Sequence, residues 1–281
     1  MVREVHVDRV KDVVKELSIK ANYFLPQDVL DALNRARETE ESPVGREVLG
    51  LIVENAEIAA QDEMPICQDT GAAVIFLEVG QEVHFVGGSL VEAINQGVSE
   101  GYTDGYLRKS MTVDPFLRKN TGNNTPAIIH TDIVEGDQVR LVLAPKGGGS
   151  ENMSAAKGLT PAQGPEGVKK FVVETVDKAG SNPCPPIVVG VGVGSTIEKA
   201  VLLAKKSLIR PVGQPHPDEH IAQLERSTLE AINDLGIGPQ GLGGRTTALA
   251  VHIEPHSSHI ASLIAAVNIQ CHAARHAEAT I

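Results

Sequence analysis

Apolar residues in this 281-residue chain recur with two different periods, and this alternation is the strongest constraint on its fold. Near the N-terminus they recur every three to four residues, as between Val10 and Leu17, a spacing that predicts amphipathic helices. Short aliphatic stretches such as 72–79 and 187–191 are typical of buried strands. The two patterns are interspersed irregularly, which favours mixed sheets over a regular βαβ series. We therefore expect an α/β to α+β fold: a helical N-terminal segment, then mixed β-sheets flanked by helices.

No internal repeat, low-complexity tract or clear linker divides the chain. We therefore expect one domain over residues 1–281, with a helical portion over residues 1–63. Residues 127–134 and 139–144 are predicted to form paired strands, because the connection Glu135-Gly136-Asp137 is short and polar.

The charge of the chain limits the partners that it can bind. It has 25 Lys and Arg against 36 Asp and Glu, a formal net charge of −11, and only 3% aromatic residues. Nucleic-acid binding requires cations that displace counterions, and single-strand binders also use aromatic stacking. We therefore expect no nucleic-acid partner, and an anionic substrate would require a local basic pocket.

The N-terminal residues contain no apolar leader, and no apolar run approaches the ~20 residues that span a bilayer. We expect a cytoplasmic protein without a membrane partner. In that reducing compartment, cysteines are thiols or metal ligands rather than disulfides.

The three cysteines, Cys67, Cys184 and Cys271, are separated by 117 and 87 residues. None belongs to a CxxC pair, which argues against a zinc ribbon. Two interpretations remain: the cysteines are three unrelated buried thiols, or they form one metal site that is assembled from three distant loops. Three thiolates suit an iron–sulfur cluster and would leave one iron of a cube open to act as a Lewis acid.

The stretch Gly190-Val191-Gly192-Val193-Gly194 follows a predicted strand and precedes a helical pattern, as in a dinucleotide-binding fingerprint. The fingerprint requires glycine where Ser195 stands, so a nucleotide-binding module is disfavoured. We expect instead close packing of strand against helix, or an anion at the helix N-terminus.

Five motifs, which include all three cysteines, stand in one order along the chain from about Glu47 to Arg275. They are Ile66-Cys67-Gln68-Asp69-Thr70-Gly71, Lys146-Gly147-Gly148-Gly149-Ser150-Glu151, Gly190 to Gly194, Gly241-Leu242-Gly243-Gly244-Arg245-Thr246 and Val267-Asn268-Ile269-Gln270-Cys271-His272-Ala273-Ala274-Arg275. Together they resemble the α subunit of the class I, iron–sulfur-dependent fumarate hydratases. The α subunit of L-tartrate dehydratase is close kin.

The resemblance implies a cofactor and a set of site residues. Cys67, Cys184 and Cys271 would be the three ligands of a [4Fe–4S] cluster whose fourth iron holds the substrate. Gln68 would face the substrate, and Asp69 would be catalytic.

Three further residues are implied in the same way. Arg108, or alternatively its neighbour Lys109, would bind a substrate carboxylate. The backbone at Gly149 would approach the substrate. His259, or alternatively His256, would be a catalytic residue that reaches the site of a neighbouring protomer.

The resemblance also implies the reaction and its partners. The chain would hydrate fumarate to L-malate reversibly as part of a two-subunit hydro-lyase, or act on the related small dicarboxylate L-tartrate. It would form an α–α homodimer and bind a β subunit that carries the remaining catalytic residues.

Simpler interpretations of the same residues are also possible. Asp69 before Thr70-Gly71 could be a turn residue, and Arg108 could be a solvated cation. A zinc-bound structural module built from the cysteines and a histidine is an alternative from another functional class.

Overall fold

The computed structural model describes residues 2–281 and has an α/β fold, which confirms the expected fold class and the helical N-terminal segment. The helices are α1 (Val7–Tyr23), α2 (Gln27–Thr39), α3 (Pro43–Gln61), α4 (Leu90–Asp104), α5 (Gly148–Glu151), α6 (Gly164–Ala179), α7 (Ile197–Ser207) and α8 (Glu219–Asn233). The strands are β1 (Arg3–His6), β2 (Ala72–Gly80), β3 (Val83–Val86), β4 (Ile128–Val134), β5 (Val139–Lys146), β6 (Ala155–Leu159), β7 (Ile187–Gly194), β8 (Ala248–His256), β9 (Leu263–Gln270) and β10 (Ala277–Thr280). Within residues 2–281, no helix combines the length and the apolar character needed to cross a membrane.

The chain forms two compact units that alternate along the sequence. Unit 1 contains the residues through Leu25, Ala56–Gly148 and Arg275–Ile281, and unit 2 contains Pro26–Asn55 and Gly149–Ala274. The predicted helical portion is formed by α1 to α3. That residues 1–281 act as one domain stays a prediction.

Unit 1 is built on a four-stranded sheet with the order β10-β5-β2-β4, and a parallel pair of β1 and β3 forms a second, two-stranded sheet. Strand β2 is parallel to β4 and antiparallel to β5. Helices α1 and α4 supply the apolar face over this sheet with residues such as Val14, Leu17, Ile94 and Val98, all of which are buried.

The predicted pairing of residues 127–134 with 139–144 is wrong, because β2 lies between the two strands. Residues 73–77 of β2 are all buried, so this strand takes the interior position with a hydrogen-bonded neighbour on each side. The connection from β4 to β5 instead passes over the end of β2. There, the N–H of Gly80 donates to the Gln138 carbonyl, and the N–H of Gln81 donates to the Val134 carbonyl, each at 2.8 Å.

Unit 2 is built on a second mixed sheet with the order β6-β9-β7-β8. Alternate residues of its strands, such as Val189 and Val267, form one apolar core with α6 and α8. Helix α7 packs on β7 and β9, and its Ala200 and Ala204 join Ala266 in a smaller cluster.

The glycines of the Gly190–Gly194 motif let α7 approach β7 closely. A methyl group at Gly190 would overlap the carbonyl oxygen of Ala204, and one at Gly192 would overlap that of Ala200. The motif therefore serves strand–helix packing, which confirms the first of the two explanations that the sequence left open.

Gly192→Ala should therefore lower the free energy of unfolding by about 1–3 kcal/mol, the usual cost of overpacking a core. Gly158→Ala on β6 is a matched control, because its added methyl would meet nothing closer than 3.8 Å. Urea unfolding of both variants measures the effect. Equal stability of the two variants would contradict the packing role.

Candidate functional site

In unit 1, the loop between α3 and β2 carries Cys67, Gln68 and Asp69. The Cys67 thiol is half-buried and lies 3.3 Å from Oε1 of the exposed Gln68 side chain. The Cys67 sulfur also accepts the N–H of Asp69 at 3.4 Å. A thiol, an amide and a carboxylate therefore lie on one short stretch of backbone.

The Asp69 carboxylate is held by backbone donors at both oxygens. Oδ1 accepts the N–H of Gly71 at 3.1 Å, and Oδ2 accepts the N–H of Gly148 at 2.8 Å. The first contact is the one expected of a turn residue. The second joins residues 79 positions apart, which a simple turn does not require. Each carboxylate oxygen can accept a second hydrogen bond, so the fixed group can still bind a further donor.

A buried arginine supports the same loop from within unit 1. Arg275 donates to the Asp69 carbonyl at 2.8 Å and to Oδ1 of Asn22 at 3.3 Å. The buried Tyr102 hydroxyl donates to the carbonyl of Thr70 at 2.8 Å, and burial raises the pKa of this hydroxyl above its usual value. These contacts fix the backbone on which Cys67 and Asp69 stand.

Arg108 is attached to this loop through its backbone. The hydroxyl of Thr70 donates to the Arg108 carbonyl at 2.9 Å, while the Arg108 side chain is exposed. The neighbouring Lys109 is half-buried. The structure therefore brings the backbone of the predicted arginine to the loop of Asp69 and leaves its guanidinium accessible.

In unit 2, the structure brings together the loops that carry Cys184 and Cys271. The carbonyl of Cys184 accepts the backbone N–H of His272 at 3.2 Å and lies 3.1 Å from Nδ1 of the same residue. Cys184 is exposed and has a φ of 55°, in the left-handed region that few non-glycine residues adopt. The backbone N–H and the side-chain amide of Gln240 both donate to the Pro185 carbonyl at 2.7 Å.

The second half of the glycine run lies beside the same elements. A methyl group at Gly149 would meet the carbonyl of Asn182 at 3.4 Å, two residues before Cys184. The Ser150 hydroxyl is 3.5 Å from Oε1 of Gln270, which precedes Cys271. Glu151 accepts hydrogen bonds from Asn268 of β9 and from Lys205 of α7. Gly149, Cys184 and Cys271 are thus neighbours within unit 2.

The histidines near the end of β8 do not share one environment. His252 is buried beside the Ser207 carbonyl, and burial lowers the pKa of its imidazole to about 4. His256 and His259 are exposed, and Nδ1 of His259 accepts the N–H of Ala261 at 3.1 Å. That His259 or His256 reaches a neighbouring protomer stays a prediction.

The donor set fits an iron–sulfur cluster in its chemistry, since thiolates are the ligands that such clusters prefer. Two of the three thiols stand on hydrogen-bonded loops of unit 2, and the third stands on the Asp69 loop of unit 1. Across residues 2–281, no three His, Cys, Asp or Glu side chains form a group that could hold a metal ion. The roles of Cys67, Cys184 and Cys271 as ligands therefore stay a prediction.

Sequence reasoning did not single out three residues that build these loops: Asn22, Arg275 and His272. Two of them, His272 and Arg275, lie within the fifth motif. Membership of that motif was the only signal that could have identified them, because their partners are distant in sequence.

The fourth motif, Gly241 to Thr246, is fixed by the buried carboxylate of Glu40. This side chain accepts the backbone N–H groups of Ser42, Arg245 and Thr246 at 2.7–3.0 Å. Burial raises the pKa of the Glu40 carboxyl, but these hydrogen bonds outweigh burial and lower the pKa from 4.5 to about 2. Glu40 thus joins the end of α2 to the glycine-rich loop as an ionised group.

We expect Glu40→Gln to lower the free energy of unfolding at pH 7 by about 3 kcal/mol, the value of moving a carboxyl pKa from 4.5 to about 2. Because the folded state depresses this pKa, the stabilisation is complete above pH 4.5 and is lost as the pH falls toward 2. Urea titrations between pH 7 and 2 measure the difference, with Glu41→Gln at the exposed neighbour as the control. A difference that did not shrink in acid would contradict the assignment.

Comparison with known proteins identifies the family. The family model for fumarate hydratase (fumerase) matches residues 11–280. A Methanocaldococcus jannaschii protein named "Putative L(+)-tartrate dehydratase subunit alpha" is 44% identical over 275 residues, and the match covers 96% of this chain and 96% of that protein. Proteins named L(+)-tartrate dehydratase subunit alpha from Escherichia coli K12 and Shigella sonnei are 34% identical over 273 residues, which cover 96% of this chain and 89% of theirs. The chain therefore belongs to the fumarate hydratase (fumerase) family and is a hydro-lyase.

Proposed function

We propose that this chain is the cluster-binding α subunit of a two-subunit hydro-lyase that hydrates fumarate to L-malate reversibly. The observation that carries this proposal is the Asp69 carboxylate. It stands two residues from Cys67 and is held at both oxygens by the N–H groups of Gly71 and Gly148. A fixed, half-exposed carboxylate beside a thiol is what acid–base chemistry at a cluster requires.

Cys67, Cys184 and Cys271 would hold a [4Fe–4S] cluster. When bound, such a cluster supplies an open iron that polarises a substrate carboxylate and hydroxyl as a Lewis acid. Within unit 2, the backbone contact between the Cys184 carbonyl and the N–H of His272, the residue after Cys271, supports a shared role for these two cysteines.

The chain's own residues would bind the dicarboxylate and move its proton. Hydration adds OH to one carbon of the double bond and H to the other, so a side chain must hold the proton near the reacting carbons. We assign this role to Asp69. The exposed guanidinium of Arg108 can bind a carboxylate bidentately, which a lysine cannot copy. The amide of Gln68 and the backbone at Gly149 would complete the binding surface, and two fixed ends would orient the substrate.

Two protein partners complete this proposal. The name "subunit alpha" that the relatives carry supports a β subunit as partner, which would supply the remaining catalytic residues. An α–α homodimer would bring His259 of one protomer to the site of the other.

L(+)-tartrate is the second candidate substrate, and one observation favours it. The similar proteins from M. jannaschii, E. coli K12 and S. sonnei, at 34–44% identity, are named for L(+)-tartrate rather than for fumarate. Both substrates are four-carbon dicarboxylates, so Asp69 and Arg108 would serve either in the same roles.

The deciding experiment is anaerobic purification with iron and acid-labile sulfide analysis, followed by assays with fumarate and L-tartrate. Each assay is run with and without a candidate β chain. We expect iron and sulfide in equal amounts, and activity only when both chains are present. One zinc per chain without sulfide would overturn the proposal in favour of the zinc-bound structural module.

A further inference from the structure

A cavity of about 360 Å³ opens on unit 2 between α2, α8 and the start of β8. Its lining includes Arg35, Asn233 and Arg245, one acidic residue, Glu41, and the glycine-rich loop at Thr246. None of the cysteines, nor Gln68, Asp69, Arg108, Gly149 or His259, lines it among residues 2–281. The cavity is therefore a feature that the proposed function leaves unused.

In the part of the chain that the structure describes, the two arginines of this cavity have at most one weak ion pair between them. Arg35 makes no ion pair and its side chain makes no hydrogen bond within residues 2–281. Arg245 makes one distant ion pair, 3.8 Å from Nη1 to Oε1 of Glu41, and both side chains are more than half exposed. Such exposed pairs contribute little free energy. Two guanidinium groups thus line one concave surface of a chain whose net charge is −11.

The neutral donor of the cavity is fixed in orientation. Oδ1 of Asn233 accepts the N–H groups of Thr247 at 3.0 Å and Ala248 at 2.9 Å. This arrangement leaves the Nδ2 group as a donor. The backbone of Arg245 is equally fixed, because its N–H donates to the buried Glu40 carboxylate. The Asn233 amide is therefore oriented before any ligand arrives, which lowers the entropic cost of binding.

We propose that this cavity binds a small oxyanion, a carboxylate or phosphate group, through the guanidinium groups of Arg35 and Arg245 and the amide of Asn233. Arginine is suited to this because its planar fork pairs with two oxygens of a carboxylate or phosphate. The Glu41 carboxylate is the internal competitor, since a bound anion would displace it from Arg245. Glu41 should therefore weaken binding rather than assist it.

The test is isothermal titration of the full-length chain with inorganic phosphate and, separately, with succinate, at low ionic strength. Arg35→Gln and Arg245→Gln should each weaken binding about tenfold, the value of one charge-assisted hydrogen bond. Glu41→Gln should tighten binding about twofold to fivefold. Arg37→Gln is the matched control, because Arg37 is an exposed arginine of the same helix that does not line the cavity.

Each outcome decides the proposal. Binding of phosphate alone identifies a phosphoryl ligand, binding of succinate alone identifies a carboxylate ligand, and the opposite effects of Arg35→Gln and Glu41→Gln support the site in either case. Absence of binding by both probes overturns it. Equal weakening by Arg35→Gln and Arg37→Gln also overturns it, because the binding would then follow the net charge of the chain.

Discussion

Asp69→Asn should lower the rate of fumarate hydration by about 10²–10⁴, the usual contribution of general acid–base catalysis. The amide keeps the size of the side chain and can still accept one N–H, from Gly71 or from Gly148. It cannot take up or release the proton that hydration requires. The loop, which Arg275 and Tyr102 also hold, should therefore keep its conformation while the chemistry is lost.

The measurement is the hydration rate of the reconstituted two-chain enzyme, with iron and sulfide content determined on the same samples. Asp62→Asn is the control, because Asp62 is an exposed carboxylate five residues before Cys67. We expect unchanged iron content in both variants and lost activity only in Asp69→Asn. If iron content fell in parallel with activity, Asp69 would be a positioning residue for the cysteine loop.

The helices and most strands of the fold could be predicted from the sequence because their signals are local. Apolar spacing between Val10 and Leu17 predicted α1, and the aliphatic run at 72–79 predicted β2. Strand pairing could not be predicted in the same way. In the structure, β2 lies between β4 and β5 and is hydrogen-bonded to both. The short connection Glu135-Gly136-Asp137 is compatible with this arrangement and also with direct pairing of β4 and β5.

In the candidate site, too, only the residues that are close together in sequence could be predicted. Cys67, Gln68 and Asp69 are adjacent in sequence, so a single motif was sufficient to identify them as candidate site residues. The contact from Gly148 to the Asp69 carboxylate and the contact from Arg275 to its carbonyl join residues 79 and 206 positions apart. No local pattern encodes such partners. The division into two units was also invisible, because both units are discontinuous in the sequence and no linker marks their boundaries.

Replacing any one cysteine by serine should remove the iron from the chain and abolish its hydro-lyase activity. A cubane cluster that already depends on three protein thiolates has no spare ligand among them. Serine preserves the size of the side chain, so the three loops should stay folded. For Cys184→Ser, the carbonyl that accepts from His272 belongs to the backbone and is unaffected.

Cys67→Ser, Cys184→Ser and Cys271→Ser are compared for iron, sulfide, visible absorbance and thermal unfolding after anaerobic preparation. We expect the three variants to lose iron equally and to unfold like the iron-free parent chain. The comparison of Cys67 with the other two is the informative one, because Cys67 stands in unit 1 and the others in unit 2. If Cys67→Ser alone kept its iron, the metal would be held by unit 2 without it. If all three kept it, the cysteines would be the unrelated thiols that their wide spacing also permits.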